Sequence, residues 1–378
     1  MNRIPLRPGA GRGSGEARAS MRAPGRLRSA WSVPTGDALM FRRLMLAGLL
    51  AAGSFLGPAA RAADGVQVIA RDGSAVTFPE GTLAAFDLAI LQGADMLRVD
   101  VYQTFDGVQV IRTARDLAAT TDIASLMPRP GPLKGEPPPA GYPVDYTLYG
   151  DYARLTARQP VAGRDTGFDG MFPTPILEDL LVLVERRKIE RRRTIGLLLV
   201  LHDSEIHAAR GRPMEPRLLA TLQKYGLAGS PDVLIGTGDP SSFSRLGATG
   251  GNPRVFVLGG STERPADAAR TGDGRTYGDY QAPDGLRAIR GFADAILVDV
   301  QDVQGTYADG GAMPATTLAG DARTAGLRLF VGGFADAEDP IKPRRAAIEM
   351  YHRIIALGID GIVTDEPVRA VAARRPGG

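Results

Sequence analysis

The chain has 378 residues, with 45 Lys and Arg against 42 Asp and Glu, three histidines, one tryptophan and no cysteine. Without cysteine there is no disulfide, no thiolate nucleophile and no Cys-ligated zinc or iron–sulfur centre, and three histidines leave little room for imidazole-based metal or acid–base chemistry. With 44% hydrophobic and 23% charged residues the chain can bury a substantial core, which excludes wholesale disorder.

A basic balance points to nucleic acid or a membrane surface, so the placement of the charge matters. Residues 1–39 are rich in Gly, Ala, Arg and Pro and show no periodic apolar face. Met40 opens a different pattern: Phe41-Arg42-Arg43, an apolar run from Leu44 to Leu56, then Ala60-Arg61-Ala62. A short basic region, an apolar stretch and a small-x-small site are the parts of an export signal, and the run is short for a membrane span. The expectation is a start at Met40, a signal peptide over 40–62 cleaved near Ala62, and a periplasmic or secreted product. Arg42-Arg43 leaves the general and twin-arginine export routes both open. Residues 1–39 are then a non-native or disordered extension. Residues 1–62 carry ten arginines against Glu16 and Asp37, a net of +8; the remaining 316 residues carry 35 basic and 40 acidic groups, a net of −5. The positive charge belongs to the leader, so neither nucleic-acid binding nor an integral membrane protein is expected of 63–378.

From residue 66 onward apolar strands alternate with amphipathic segments. Residues 66–70 read as a strand and 81–92 as a helix. Residues 96–101 form the second strand, and Asp106-Gly107 turns it into a hairpin return at 108–111. Six more strands are expected at 195–201, 233–235, 255–258, 295–300, 327–331 and 361–363, with helices such as 214–225 and 344–357 between them. Eight strand–helix units in one run, each strand nearly continuously apolar, predict a (β/α)8 barrel over 63–378. The connection over 117–172, with Met127-Pro-Arg-Pro-Gly-Pro-Leu133 and Glu136-Pro-Pro-Pro139, would extend the second βα loop across the C-terminal face; a loose surface insertion is the other reading of its proline part. The run at 185–193 (ERRKIERRR) reads as a solvated face.

Five segments carry a resemblance. Ile69-Ala-Arg-Asp-Gly73, Pro79-Glu-Gly-Thr-Leu-Ala-Ala-Phe86, Gly93-Ala-Asp-Met-Leu-Arg-Val-Asp100, Asp106-Gly-Val-Gln-Val-Ile111 and Gly358-Ile-Asp-Gly-Ile-Val-Thr-Asp-Glu-Pro367 resemble, in register, the motifs AHRG, PENTLAAF, GAdxxExDV, DGxPVVxHD and GvDGixTDxP of the glycerophosphodiester phosphodiesterases. The resemblance implies a TIM barrel of the phospholipase-C-like phosphodiesterase type. It also implies hydrolysis of phosphodiesters in glycerophospholipid metabolism by two histidines and a Ca²⁺ or Mg²⁺ ion held by two Glu and one Asp.

The chain departs from that pattern at the chemistry. The first histidine is Arg71, its neighbouring phosphate-binding arginine is Asp72, and the second His–Asp pair is Thr113-Ala114. The metal carboxylates become Arg98 and Val200, with only Asp100 retained; the family's lysine aligns with His202. No catalytic residue, no metal ligand set and no cofactor is therefore assigned. His207, Asp299, Asp302 and Asp365 read as structural or capping groups. The candidate ligand-binding residues at the mouth are Arg71, Asp72, Glu80, Arg98, Asp100 and His202, with Phe334 where the family packs an aromatic on glycerol. Arg71 and Arg98 either close an ion-pair network with the leftover acids or bind a small phosphate ester or other anion. An impaired or inactive homologue, an enzyme using other residues and a non-catalytic envelope scaffold all remain open.

Overall fold

The computed structural model describes residues 65–247, 251–306, 311–334 and 344–374, all within the unit Ala62–Gly378. The leader expectations for 1–39 and 40–62, including the cleavage site, lie outside the described residues.

The strands are β1 (Gln67–Arg71), β2 (Met96–Gln103), β3 (Gln109–Ile111), β4 (Gly196–Leu201), β5 (Val233–Thr237), β6 (Arg254–Val257), β7 (Ala295–Asp299), β8 (Arg328–Gly332) and β9 (Gly361–Thr364). Pairing runs β1-β9-β8-β7-β6-β5-β4-β2-β3, and β1 also pairs with β2. Eight strands are thus mutually parallel and close into a barrel, while β3 stands outside as the antiparallel partner of β2. The expected (β/α)8 architecture and hairpin return are both present.

The strands read as continuous apolar runs because both faces are covered: every residue of Gly196–Leu201 is buried. Alternation still separates the two faces. Ile69, Met96, Leu198, Val200, Leu234, Val255, Ala295, Leu297, Phe330 and Val363 fill the barrel interior. Their neighbours Val68, Ala70, Leu97, Val99, Leu199 and Ile362 pack outward, beneath helices that include α1 (Leu83–Leu91), α2 (Leu177–Arg191), α3 (Glu215–Lys224), α4 (Pro240–Leu246), α5 (Pro283–Ile289), α6 (Leu318–Thr324), α7 (Arg344–Ala356) and α8 (Pro367–Arg374). The period of two fixes what faces the mouth. Counting on from Ile69, Met96 and Val363 along their strands, Arg71, then Arg98 and Asp100, then Asp365 point inward above the apolar plug.

The β1–α1 turn is unusually tight. Asp72 and Gly73 are both left-handed (φ 53 and 95), and a Cβ on Gly73 would lie 2.4 Å from the Ala85 carbonyl carbon. Glycine is required there for α1 to approach the strand end. Thr82 then caps α1, its Oγ1 accepting from Ala85 N at 3.2 Å.

The 117–172 connection is folded and anchored, proline part included. Tyr102, Val110, Leu117, Ile123, Tyr142, Val144, Tyr152 and Leu155 make a separate apolar cluster against the hairpin. Arg115 donates two hydrogen bonds to buried Asp145 at 2.9 Å. Arg210, in the loop after β4, donates to Asp145 at 2.6 Å and to Glu136 at 2.8 and 2.5 Å. Burial alone would raise the Asp145 pKa, but these two arginines outweigh it and hold the carboxyl below its ordinary range. The basic run on α2 is paired as well: Arg187 with Asp87 at 2.5 Å, Arg186 with Glu190 at 2.9 Å and Lys188 with Glu185 at 2.9 Å. None of the helices among the described residues is long and apolar enough to cross a membrane.

Candidate functional site

The barrel mouth is a layer of ion pairs. Arg71 and Arg98 are register neighbours on β1 and β2. Arg71 grips Asp365 with two hydrogen bonds, Nε to Oδ1 at 2.6 Å and Nη2 to Oδ2 at 2.7 Å. Arg164, reaching in from the long insertion, donates to Asp365 Oδ2 at 2.8 Å and to the Ala75 carbonyl at 3.2 Å. Burial would raise the Asp365 pKa, but Arg71 and Arg164 overcome it and lower it.

Arg98 and Asp100 leave the same face of β2 two residues apart. Arg98 Nε donates to Asp100 Oδ1 at 3.1 Å and Nη2 to Oδ2 at 3.3 Å. His202, in the turn after β4, brings Nε2 to 3.2 Å from Asp100 Oδ1 without hydrogen-bond alignment, and its ring stacks on Tyr102 at 4.9 Å and 10°. Burial works against the Asp100 charge, yet Arg98, His202 and Arg71 hold the carboxyl well below the carboxylate range. Asp72 behaves oppositely. It is buried, its Oδ1 accepts from Asp100 N at 3.4 Å, and burial with the Asp100 charge pushes its pKa well up. Glu80 is raised by burial too, although its Oε1 accepts a short hydrogen bond from Thr113 Oγ1.

Six of the seven sequence candidates therefore meet at the mouth. Phe334 does not: β8 ends at Gly332-Gly333, Gly333 takes φ 80, and the alternation breaks. Phe334 is 0% exposed behind the barrel wall, its ring 4.9 Å from Tyr351 of α7. Of the residues read as caps, Asp299 does cap a helix turn, accepting from Gln301 N at 2.8 Å. Asp365 instead joins the mouth, as the period of two on β9 would have shown. Arg164 had no such signal, because it lies in an insertion without periodicity. His207 is buried against Gln103, 3.2 Å from its Nε2, and burial depresses its pKa to about 4.

A divalent cation of the kind the resemblance implies does not fit these residues. By the resemblance, Arg98 and Val200 stand at the two Glu positions, and both Asp100 oxygens accept from Arg98. Among the described residues no group of three or more His, Asp or Glu side chains is arranged to hold a metal ion.

Fold and mouth together define a phosphodiesterase-type (β/α)8 barrel with an arginine-filled entrance. The model of the glycerophosphoryl diester phosphodiesterase family matches residues 72–369, and the chain belongs to that family. It is 24% identical over 313 residues to the glycerophosphodiester phosphodiesterase GDPDL6 of Arabidopsis thaliana, covering 80% of this chain and 39% of that protein. With the glycerophosphodiester phosphodiesterase GDPD6 of the same plant it shares 25% over 221 residues, 54% of this chain and 58% of that one. The chain thus spans well under two thirds of these relatives' length. Among solved structures, a Silicibacter pomeroyi protein assigned to the glycerophosphoryl diester phosphodiesterases superposes with a TM-score of 0.58 at 22% identity, over 82% of this chain and 93% of that one. An Oleispira antarctica phosphodiesterase solved with the product sn-glycerol-3-phosphate superposes with a TM-score of 0.52 at 17% identity, over 81% and 96% of the two chains. These two likenesses concern the fold.

A second polar cluster supports the loops beside the mouth. Asp239, at the end of β5, accepts from Ser204 Oγ at 3.0 Å and from Arg245 Nη2 at 2.9 Å, while Arg245 Nε reaches fully buried Glu215 at 2.9 Å. Ser241 N donates to Asp239 at 3.0 Å and to Asp267 at 2.7 Å, so two carboxylates crowd one amide. Burial, then the hydrogen bond and charge of Asp239, push Asp267 up to about 6, while Asp239 is lowered. A carboxyl raised on folding stabilises the fold when protonated, and that contribution fades as pH rises from the unfolded value, about 4, through about 6. Asp267→Asn is expected to flatten the fall in stability between pH 4 and pH 7, read as the urea midpoint; an unchanged slope would contradict the raised Asp267 carboxyl.

Proposed function

We propose that this family member does not hydrolyse phosphodiesters by the two-histidine, cation-assisted route, and that its mouth holds a small phosphate ester or related anion instead. The observation that carries the first part is the state of the two positions aligned with the histidines. Arg71 is locked on Asp365, and Thr113 donates to Glu80. A guanidinium stays protonated at any ordinary pH and an alcohol does not titrate near neutrality, so neither can take a proton from water and return it to a leaving alkoxide. His207 is buried away from the mouth, and His202 alone supplies one imidazole where the route needs two.

The guanidinium groups support the second part: Arg71, Arg98 and Arg164 all reach the mouth. Asp100 and Asp365 are held ionised, whereas Asp72 and Glu80 are pushed towards their neutral forms. Arg71, 36% exposed at the side chain, is the guanidinium of these three most open to solvent. A phosphate oxygen there would gain charge-assisted hydrogen bonds, each worth about 1.5–3 kcal/mol. The product held by the Oleispira antarctica phosphodiesterase makes glycerol 3-phosphate a natural probe.

Glycerophosphocholine is expected to show no turnover above background with CaCl2 or with EDTA. Glycerol 3-phosphate is expected to bind by calorimetry, and Arg71→Gln to weaken that binding at least about tenfold. Turnover abolished by EDTA would overturn the first part, and absence of any binding would leave a scaffold. Export of the barrel is proposed from the basic, apolar and small-residue pattern over 40–62. N-terminal sequencing of the native protein should begin near Ala63; a mature protein retaining Trp31 would refute it.

A further inference from the structure

The disagreement between the mouth and a divalent cation has a particular shape. The loss is not scattered: one guanidinium stands against the one retained metal carboxylate and engages both of its oxygens, at 3.1 and 3.3 Å. Arg98 is only 15% exposed at the side chain, a half-buried partner and not a surface arginine. The Asp72 carboxylate reaches the same end of β2, 3.4 Å from Asp100 N, and the backbone holds it there because Asp72 N donates to the Arg98 carbonyl at 3.0 Å. Two acids therefore lie beside Arg98 at the ends of two adjacent strands, Asp100 in its grip and Asp72 within reach of its charge. Leu198 and Val200 of β4 close the floor and offer no oxygen.

We propose that Arg98 is a built-in replacement for a divalent cation, and that a carboxylate in its place would restore a cation site at the first two strand ends. The guanidinium supplies a fixed positive charge where a metal would stand, in a pocket too desolvated to leave Asp100 unpaired. Replacing it by a carboxylate changes the local charge by −2, the amount a divalent ion returns. It also adds a third convergent carboxylate to those of Asp72 and Asp100, the oxygen-rich setting that hard cations take. The inference follows from the donor set and not from the absence of turnover. Hydrolysis by the wild type would overturn the proposed function, whereas only cation binding decides this point.

The test is calorimetric titration with CaCl2 and MgCl2, together with thermal unfolding in EDTA and in about 10 mM of either salt, on the wild type, Arg98→Gln and Arg98→Glu of the full barrel. The wild type and Arg98→Gln are expected to show no cation heat and no shift in Tm. Arg98→Glu is expected to bind with a Kd on the order of 10⁻⁴–10⁻³ M, the range of weak extracellular calcium sites, and to gain at least about 2 °C in Tm. Should Arg98→Glu unfold in EDTA, recovery of the fold on adding CaCl2 supports the proposal. Arg98→Asp, with the same ligand on a shorter arm, stands in if that variant does not fold with either salt. A wild type that is itself stabilised by either cation, or a folded carboxylate variant indifferent to both, overturns it.

Discussion

Arg98 and Asp100 lie two residues apart on one strand, so the pleat sends both side chains to the inner face of the barrel. There the apolar plug ends and the dielectric is low enough that neither charge is tolerable alone. Removing one partner of such a pair typically costs about 3–5 kcal/mol because the other is left buried and unpaired. The rest of the mouth is arranged around this pair. Burial and then the charge of Asp100 raise the neighbouring Asp72 while Arg98 opposes that rise, and His202 lies against the remaining edge of the Asp100 carboxylate.

A second pair closes the adjoining strand ends. Asp365 at the end of β9 is shared between Arg71 from β1 and Arg164 from the insertion. The insertion is therefore part of the mouth. It is fastened at its far side by Asp145 and Glu136, which grip Arg115 and Arg210 from the loops on either flank. Belonging to the phosphodiesterase family explains the scaffold and the place of the site. The chemistry is decided by the side chains at the mouth, since function resides in the site and not in the barrel.

Much of the fold was legible because burial on both faces writes parallel strands as apolar runs that little else produces. All eight barrel strands, the Asp106-Gly107 hairpin and helices such as Leu83–Leu91 fall within a few residues of their expected places. Strand register also carried Arg71, Arg98 and Asp100 to the mouth. Asp365 was misread as a cap because a lone acid after a strand has the same local pattern either way; only parity with Val363 tells them apart. Phe334 was placed at the mouth by the resemblance alone, and the left-handed Gly333 turns it outward instead. Arg164 could not be found at all. Its role is set by a chain path through an insertion whose anchors, Glu136 and Asp145, pair with residues far away in sequence.

The central claim is that a guanidinium stands where a divalent ion would be held. The most direct test is a crystal structure from crystals grown in tens of millimolar CaCl2, with anomalous data to locate calcium. The account predicts Arg98 on Asp100 as described and no anomalous peak between Asp72 and Asp100. Arg98 swung out of the mouth, with calcium bound to those two carboxylates, would contradict it.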